Sequence, residues 1–216
     1  MGTEVTLGGA GRSGRGYLSE PPRPGPGVLL VPDRSGLSPE LRERCDWLAE
    51  AGFVALGVDV HAGERSATEQ TDPHAATVRA RGLIAVAATQ LRGRPKLRPT
   101  RVGAVGLGAG GRLALLAGGT GTLHAVVSYY AVLAAAERTL LPFPVLLQLV
   151  GRPGDQPDEA RGFIRDLRRS GTDVTVRTWS GMQRGFADPT DPAYSETTAI
   201  ASWVETAGFL VEHLRS

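Results

Sequence analysis

The chain has 216 residues, of which 41% are hydrophobic and 21% charged, and its 24 Lys+Arg against 22 Asp+Glu leave a formal net charge of +2. That size supports a large core in one domain, expected over residues 1–216, while the near balance of charge argues against nucleic acid as a partner. No apolar run approaches the roughly 20 residues of a membrane span, and the first residues lack the basic and apolar regions of a signal peptide, so a cytoplasmic protein without a membrane partner is expected.

The first segment, through Pro26, reads as peripheral: a possible edge strand around Val5-Thr-Leu7, glycine-rich turns, Arg15-Gly-Tyr-Leu18 and a proline-rich breaker. Gly27-Val-Leu-Leu-Val-Pro32 is the first strongly buried strand and runs into the polar turn Asp33-Arg-Ser-Gly36. Ser38-Pro-Glu is an N-cap followed by proline at the first helical position, opening a helix through Ala51 with Leu41, Cys45 and Leu48 at helical spacing. The lone cysteine of that helix is expected to be a buried structural thiol. Phe53 to Val60 is a second core strand ending at His61, residues 66–73 are a polar loop, and Ala75 to Leu91 is a helix. Further strands are expected at Arg101–Val105, Ala125–Tyr130, Pro144–Val150 and Val174–Trp179, with helices from Arg112, from about Pro157 to Arg169 and from Thr197 to Leu214. The basic clusters Arg92–Arg98 and Arg165–Arg169 read as a solvated loop and an exposed helix face. Alternating buried strands and amphipathic helices predict an α/β protein with a mostly parallel central sheet covered on both faces.

The chain is organised around Gly106-Leu-Gly-Ala-Gly-Gly111, which joins a strand to a helix without spare residues. Two turns have this layout. Gly106, Gly108 and Gly111 satisfy the G-x-G-x-x-G of a dinucleotide fold, which should be followed about 20 residues later by an acidic residue for the ribose. Between Arg112 and Ala136 there is no Asp or Glu, and the turn follows at least two core strands instead of opening the fold. The other layout is the nucleophile elbow, G-x-Nuc-x-G, in which the middle position is Gly108.

The order of several segments makes the chain resemble the dienelactone hydrolase family of α/β-hydrolases. These segments are Arg15-Gly-Tyr-Leu18, Pro26-Gly-Val-Leu-Leu-Val31, Gly36-Leu-Ser-Pro-Glu40, Leu48-Ala-Glu-Ala-Gly-Phe-Val-Ala-Leu-Gly-Val-Asp59, the elbow, Ser128-Tyr-Tyr130, Pro144-Val-Leu-Leu147 and Trp179-Ser-Gly-Met-Gln-Arg-Gly-Phe-Ala-Asp-Pro189. The resemblance implies an α/β-hydrolase fold with no large cap domain and a Cys/His/Asp triad. The triad does not carry over: Gly108 stands for the Cys, Arg184 for the His, and Asp155 adjoins the place of the Asp. No Ser, Thr or Cys lies between Val102 and Gly119 to replace the nucleophile.

What the resemblance leaves is an oxyanion hole built from the N–H of Ala109 and an N–H near Asp33-Arg34, beside space vacated by the nucleophile. Asp33, Tyr129 and Arg184 are the candidate catalytic groups: a carboxylate as base or acid, a phenol as proton donor, and a cation to clamp a carboxylate or polarise a carbonyl. Arg34, His61, Gly108, Ala109, Tyr130, Asp155, Trp179, Gln183 and Phe186 are the candidate substrate-binding positions. No cofactor or metal is expected, and the partner is a small molecule, with the protein a monomer or homodimer. Three functions are compatible with this pattern: non-covalent acid/base chemistry such as cyclisation, isomerisation or elimination of a carbonyl metabolite, ligand binding without turnover, or hydrolysis by water that Asp33 activates directly. The first is favoured.

Overall fold

The computed structural model describes all residues except 10–11, 34, 62–71, 134–140, 153, 155 and 216. Eight strands form one sheet in the order β1-β2-β4-β3-β5-β6-β7-β8. These are β1 (Thr3–Gly9), β2 (Arg12–Ser19), β3 (Gly25–Val31), β4 (Val54–Val58), β5 (Leu97–Leu107), β6 (Ala125–Tyr129), β7 (Val145–Val150) and β8 (Val174–Trp179). From β4 to β8 every neighbouring pair is parallel. Only the β1–β2 hairpin and the β2–β4 pair are antiparallel.

Among the described residues the helices are α1 (Pro39–Glu50), α2 (Pro73–Arg92), α3 (Ala109–Gly118), α4 (Asp158–Arg169) and α5 (Glu196–Leu214). Strand alternation divides the core between the two sheet faces. On β3, Leu29 and Val31 join the cluster built with Ile84 of α2, Leu113 of α3 and Phe163 of α4. Val28 and Leu30 point the other way, to Cys45 and Leu48 of α1 and Trp203 and Leu210 of α5. This is the α/β-hydrolase core, and the described residues hold no large cap domain.

The sequence reading of α1 is reproduced in detail, since Ser38 caps it by accepting from the N–H of Leu41 at 3.3 Å, with Pro39 at its start. Cys45 is fully buried against Gly57, and burial, followed by the smaller repulsion of Asp46, pushes its thiol up to about 12. The N-terminal segment corrects the sequence reading. Residues 12–19 form a whole strand in which Tyr17 and Leu18 are buried, joining the sheet edge to β4. Gly14, a residue of low β propensity, obscured it; a Cβ there would come within 2.9 Å of the Leu83 methyls, so glycine gives that leucine its room. No helix among the described residues is long and apolar enough to cross a membrane.

Candidate active site

At the elbow, β5 ends at Leu107 and α3 begins at Ala109, with Gly108 between them at φ 54° and ψ −118°. This is the strained conformation expected at an elbow, and glycine adopts it without a Cβ clash. The start of α3 presses against the end of β3, where a Cβ on Gly110 would fall 2.2 Å from the Val31 carbonyl oxygen. That close approach brings the residue after Pro32 over the elbow.

Asp33 consequently fills the place of the missing nucleophile. A Cβ on residue 108 would lie 2.5 Å from Asp33 Oδ2 and 2.7 Å from its Cγ. The N–H of Ala109 donates to Asp33 Oδ1 at 3.0 Å. Two expectations from sequence are corrected here. The space left by the nucleophile is taken by a carboxylate, and the Ala109 donor of the oxyanion hole is engaged by that same group. The helix N-terminus favours the negative charge so placed. Asp33 Oδ2 accepts no hydrogen bond from the described residues, which leaves a lone pair for a proton.

His61 joins this arrangement from the end of β4. Its Nε2–H donates to the backbone carbonyl of Asp33 at 2.6 Å, and its own backbone N–H donates to Asp59 Oδ1 at 3.3 Å. Asp59 is buried and also pairs with Arg15 at 3.2 Å. His61 therefore acts on the Asp33 loop as a brace.

The two adjacent tyrosines part company. Tyr129 is fully buried, with its hydroxyl bonded to Thr206 Oγ1 at 2.8 Å and Ser202 Oγ at 3.3 Å, and its ring stacked on Trp203 at 5.4 Å. Burial drives its ionisation well above the usual phenol range. It is a core residue, which corrects its place among the catalytic candidates: its polar end is saturated by α5. Tyr130 has φ 38°, uncommon for a bulky side chain, and its hydroxyl has no hydrogen-bond partner among the described residues. Its ionisation is also pushed up, chiefly by burial and then by the carboxylates of Asp188, Asp33 and Asp191.

Tyr130 and the exposed Arg184 line a cavity of about 190 Å³ together with Val132, Leu149, Gln156 and Glu159. Asp33 and Gly108 do not line it; Tyr130 is the residue that links it to the elbow. Phe186 is completely buried against Tyr129, Tyr130 and Trp179, so it supports the site from behind and corrects the expectation of a substrate contact. Trp179 is half-buried, its indole N–H donating to Gln148 Oε1 at 2.6 Å. Gln183 is exposed on the turn before Arg184. Arg34 and Asp155 lie outside the described residues.

Sequence reasoning missed Gln148, which is fully buried and ties Trp179 of β8 to Ser202 and Thr206 of α5. Its signal was one amide in the otherwise apolar run Val145-Leu-Leu-Gln-Leu-Val150, since a polar residue in a covered strand demands partners. Among the described residues no group of three or more His, Cys, Asp or Glu is arranged to hold a metal.

Known proteins resemble this chain over nearly its whole length. A Bradyrhizobium protein named "Probable 2-oxo-3-(5-oxofuran-2-ylidene)propanoate lactonase" is 26% identical over 97% of this chain and 94% of its own length. An Aquifex aeolicus protein with the provisional name carboxymethylenebutenolidase is 24% identical over the full length of both. The crystal structure of the dienelactone hydrolase from Anabaena variabilis superposes with a TM-score of 0.75 at 23% identity, covering 100% of this chain and 99% of that one. Residues 15–214 match the dienelactone hydrolase family, and the chain belongs to it.

Proposed function

We propose that the protein carries out general acid/base chemistry on a small carbonyl-containing metabolite, with Asp33 as the proton acceptor. The observation behind this reading is the Asp33 carboxylate seated where the family's nucleophile side chain would stand, held by Ala109 N–H at 3.0 Å. A fixed carboxylate with one unengaged oxygen is a base. Residue 184 is an arginine that cannot accept a proton, and the neighbouring His61 donates its Nε2–H to the Asp33 backbone carbonyl at 2.6 Å, which leaves the carboxylate as the base.

Proton abstraction next to a carbonyl leaves an enolate whose charge rests on an oxygen two atoms from the reacting carbon. The Tyr130 hydroxyl, kept neutral by burial and linking the elbow to the adjoining cavity, supplies a proton donor for that oxygen, and Arg184 supplies positive charge on the cavity wall for the rest of the substrate. Return of the proton elsewhere gives isomerisation, loss of a β-substituent gives elimination, and attack of the enolate on a second carbonyl closes a ring. Covalent ester cleavage lacks its nucleophile here.

Hydrolysis through a water activated by Asp33 is the second reading, favoured by the lactonase and butenolidase names of the relatives. It is disfavoured by the occupied Ala109 N–H, because a tetrahedral intermediate at the elbow would compete with the base for one donor.

The test is incubation of the purified protein with unsaturated lactones and with a small-molecule extract, followed by chromatography and mass spectrometry. Products of unchanged mass, or lighter by one water, are expected. Asp33→Asn, which keeps an oxygen for Ala109 N–H but removes the basicity, should lower turnover by about a hundredfold or more. Products heavier by one water would establish the hydrolytic reading, and an unaltered compound retained by the protein would establish a binding role without turnover.

A further inference from the structure

A second concavity, built mainly from α4 and the edge strand β8, is an open trough of about 630 Å³. That lies within the range of roughly 300–1,000 Å³ typical of small-ligand sites. Its origin is local. On α4, Ala160, Phe163 and Leu167 face the core, and the arginines at 161, 165, 168 and 169 follow helical spacing along the flank beside β8. On β8, Val176 and Thr178 point to the same sheet face as α4, while Arg177 and Trp179 point to the other and engage Glu205 and Gln148. Since β8 is the edge strand, no further strand among the described residues covers the trough between them.

The floor is apolar, formed by Leu149, Ile164 and Val176, and the rim carries Arg161, Arg165, Arg168 and Arg169 without a lining carboxylate among the described residues. Two of these guanidinium groups are already fixed. Arg161 donates to the carbonyls of Gly154 at 3.1 Å and Gln156 at 2.8 Å and pairs with Asp158, and Arg168 donates to the Val174 carbonyl at 3.3 Å. Arg165 approaches its neighbour Asp166 at a loose 3.7 Å, and Arg169 has no partner among the described residues. Two braced and two exposed cations over an apolar floor form an anion site in which Arg161 and Arg168 are already ordered and Arg165 and Arg169 would be ordered by the ligand. The four positions span about 12 Å of helix, more than a single carboxylate can engage.

We propose that this trough binds a phosphate monoester with an apolar tail, the phosphate held by the α4 arginines and the tail lying on Leu149, Ile164 and Val176. The site is distinct from the elbow, although it shares Leu149 and Gln156 with the cavity beside Tyr130. It stands or falls independently of the reaction proposed above.

Isothermal titration with octyl phosphate below its micellar concentration tests this, with inorganic phosphate, octanol and octanoate as comparisons. Octyl phosphate should bind at least about tenfold more tightly than each of the three. Each lost charge-assisted contact is worth about a factor of ten, so Arg165→Gln/Arg169→Gln should weaken octyl phosphate about a hundredfold. Both side chains are exposed, so the double variant should keep the wild-type melting temperature. Thr178→Trp, filling the floor from a strand that tolerates aromatic residues, should abolish binding. Wild-type affinity in the double variant would overturn the proposal. So would equal binding of octanol, of inorganic phosphate or of octanoate, which would respectively remove the role of the arginines, of the apolar floor and of phosphate.

Discussion

Gly108→Ala tests the central geometric claim, because it introduces one carbon where the Asp33 carboxylate sits. The new Cβ would stand 2.5 Å from Oδ2, 2.7 Å from Cγ and 3.1 Å from Oδ1 of Asp33, so that side chain must leave. Two costs follow. Holding a non-glycine residue at φ 54° contributes about 1–3 kcal/mol of strain. Losing the Ala109 N–H to Asp33 bond adds about 1 kcal/mol, at the low end because Asp33 is solvent-exposed and water can replace it. A loss of about 2–4 kcal/mol in a chain of this size lowers the melting temperature by roughly 5–15 °C. The assay is urea denaturation of wild type, Gly108→Ala, Asp33→Ala and the double variant as a thermodynamic cycle. Removing Asp33 first eliminates the clash, so the two substitutions should couple by about 1 kcal/mol or more, with the difference between the double variant and Asp33→Ala reporting backbone strain alone. Additivity within about 0.3 kcal/mol would show that Asp33 does not occupy the nucleophile's place, and the base assigned to the elbow would go with it.

Tyr129→Phe should cost about 1–2 kcal/mol, by stripping a partner from Thr206 and Ser202, and leave turnover unchanged; lost activity at unchanged stability would return Tyr129 to the active site. Cys45 predicts an alkaline instability. Its thiol is raised from 9.0 to about 12 in the folded protein, so the folded state holds a proton that the unfolded chain releases. Stability is therefore complete below about pH 9 and falls as pH rises towards 12, by up to about 1.4 kcal/mol per pH unit. Urea midpoints at pH 8.5 and 10 should differ in wild type and much less in Cys45→Ala, and equal slopes would place the titrating group elsewhere.

The regions legible in the sequence were those where one face is wholly apolar or a cap is stereochemically marked. Val28 to Val31, Val145 to Leu147 and the Ser38-Pro39 start of α1 read correctly because burial and capping act within a few residues. Strand β2 escaped because its glycines answer to Leu83 and β4, both remote in sequence. Tyr129 and Tyr130 could not be separated from sequence for a related reason. Their neighbours on α5 lie 73 and 77 residues away from Tyr129, and the turn that swings Tyr130 off the strand shows only as its φ of 38°. The sequence reads Asp33 as a residue near the elbow, but its occupation of the elbow depends on α3 pressing within van der Waals reach of the end of β3, a contact between segments remote in sequence.

Loss of the nucleophile and capture of the helix start by Asp33 are one physical change. With Asp33 in its present position no side chain fits at residue 108, and with a side chain at residue 108 Asp33 cannot reach Ala109 N–H at 3.0 Å. Truncation of the nucleophile by itself would leave a backbone donor at a helix N-terminus open to water. Here that donor holds a carboxylate, the loop carrying it is braced by His61 at 2.6 Å, and His61 is itself tied to the Asp59–Arg15 pair. The brace acts on the backbone of Asp33, whereas a merely filled gap would need only its side chain. A carboxylate fixed from both ends, with one oxygen left unengaged by the described residues, has the placement required of a base, and this is why the proton-transfer reading ranks above simple decay of a hydrolase.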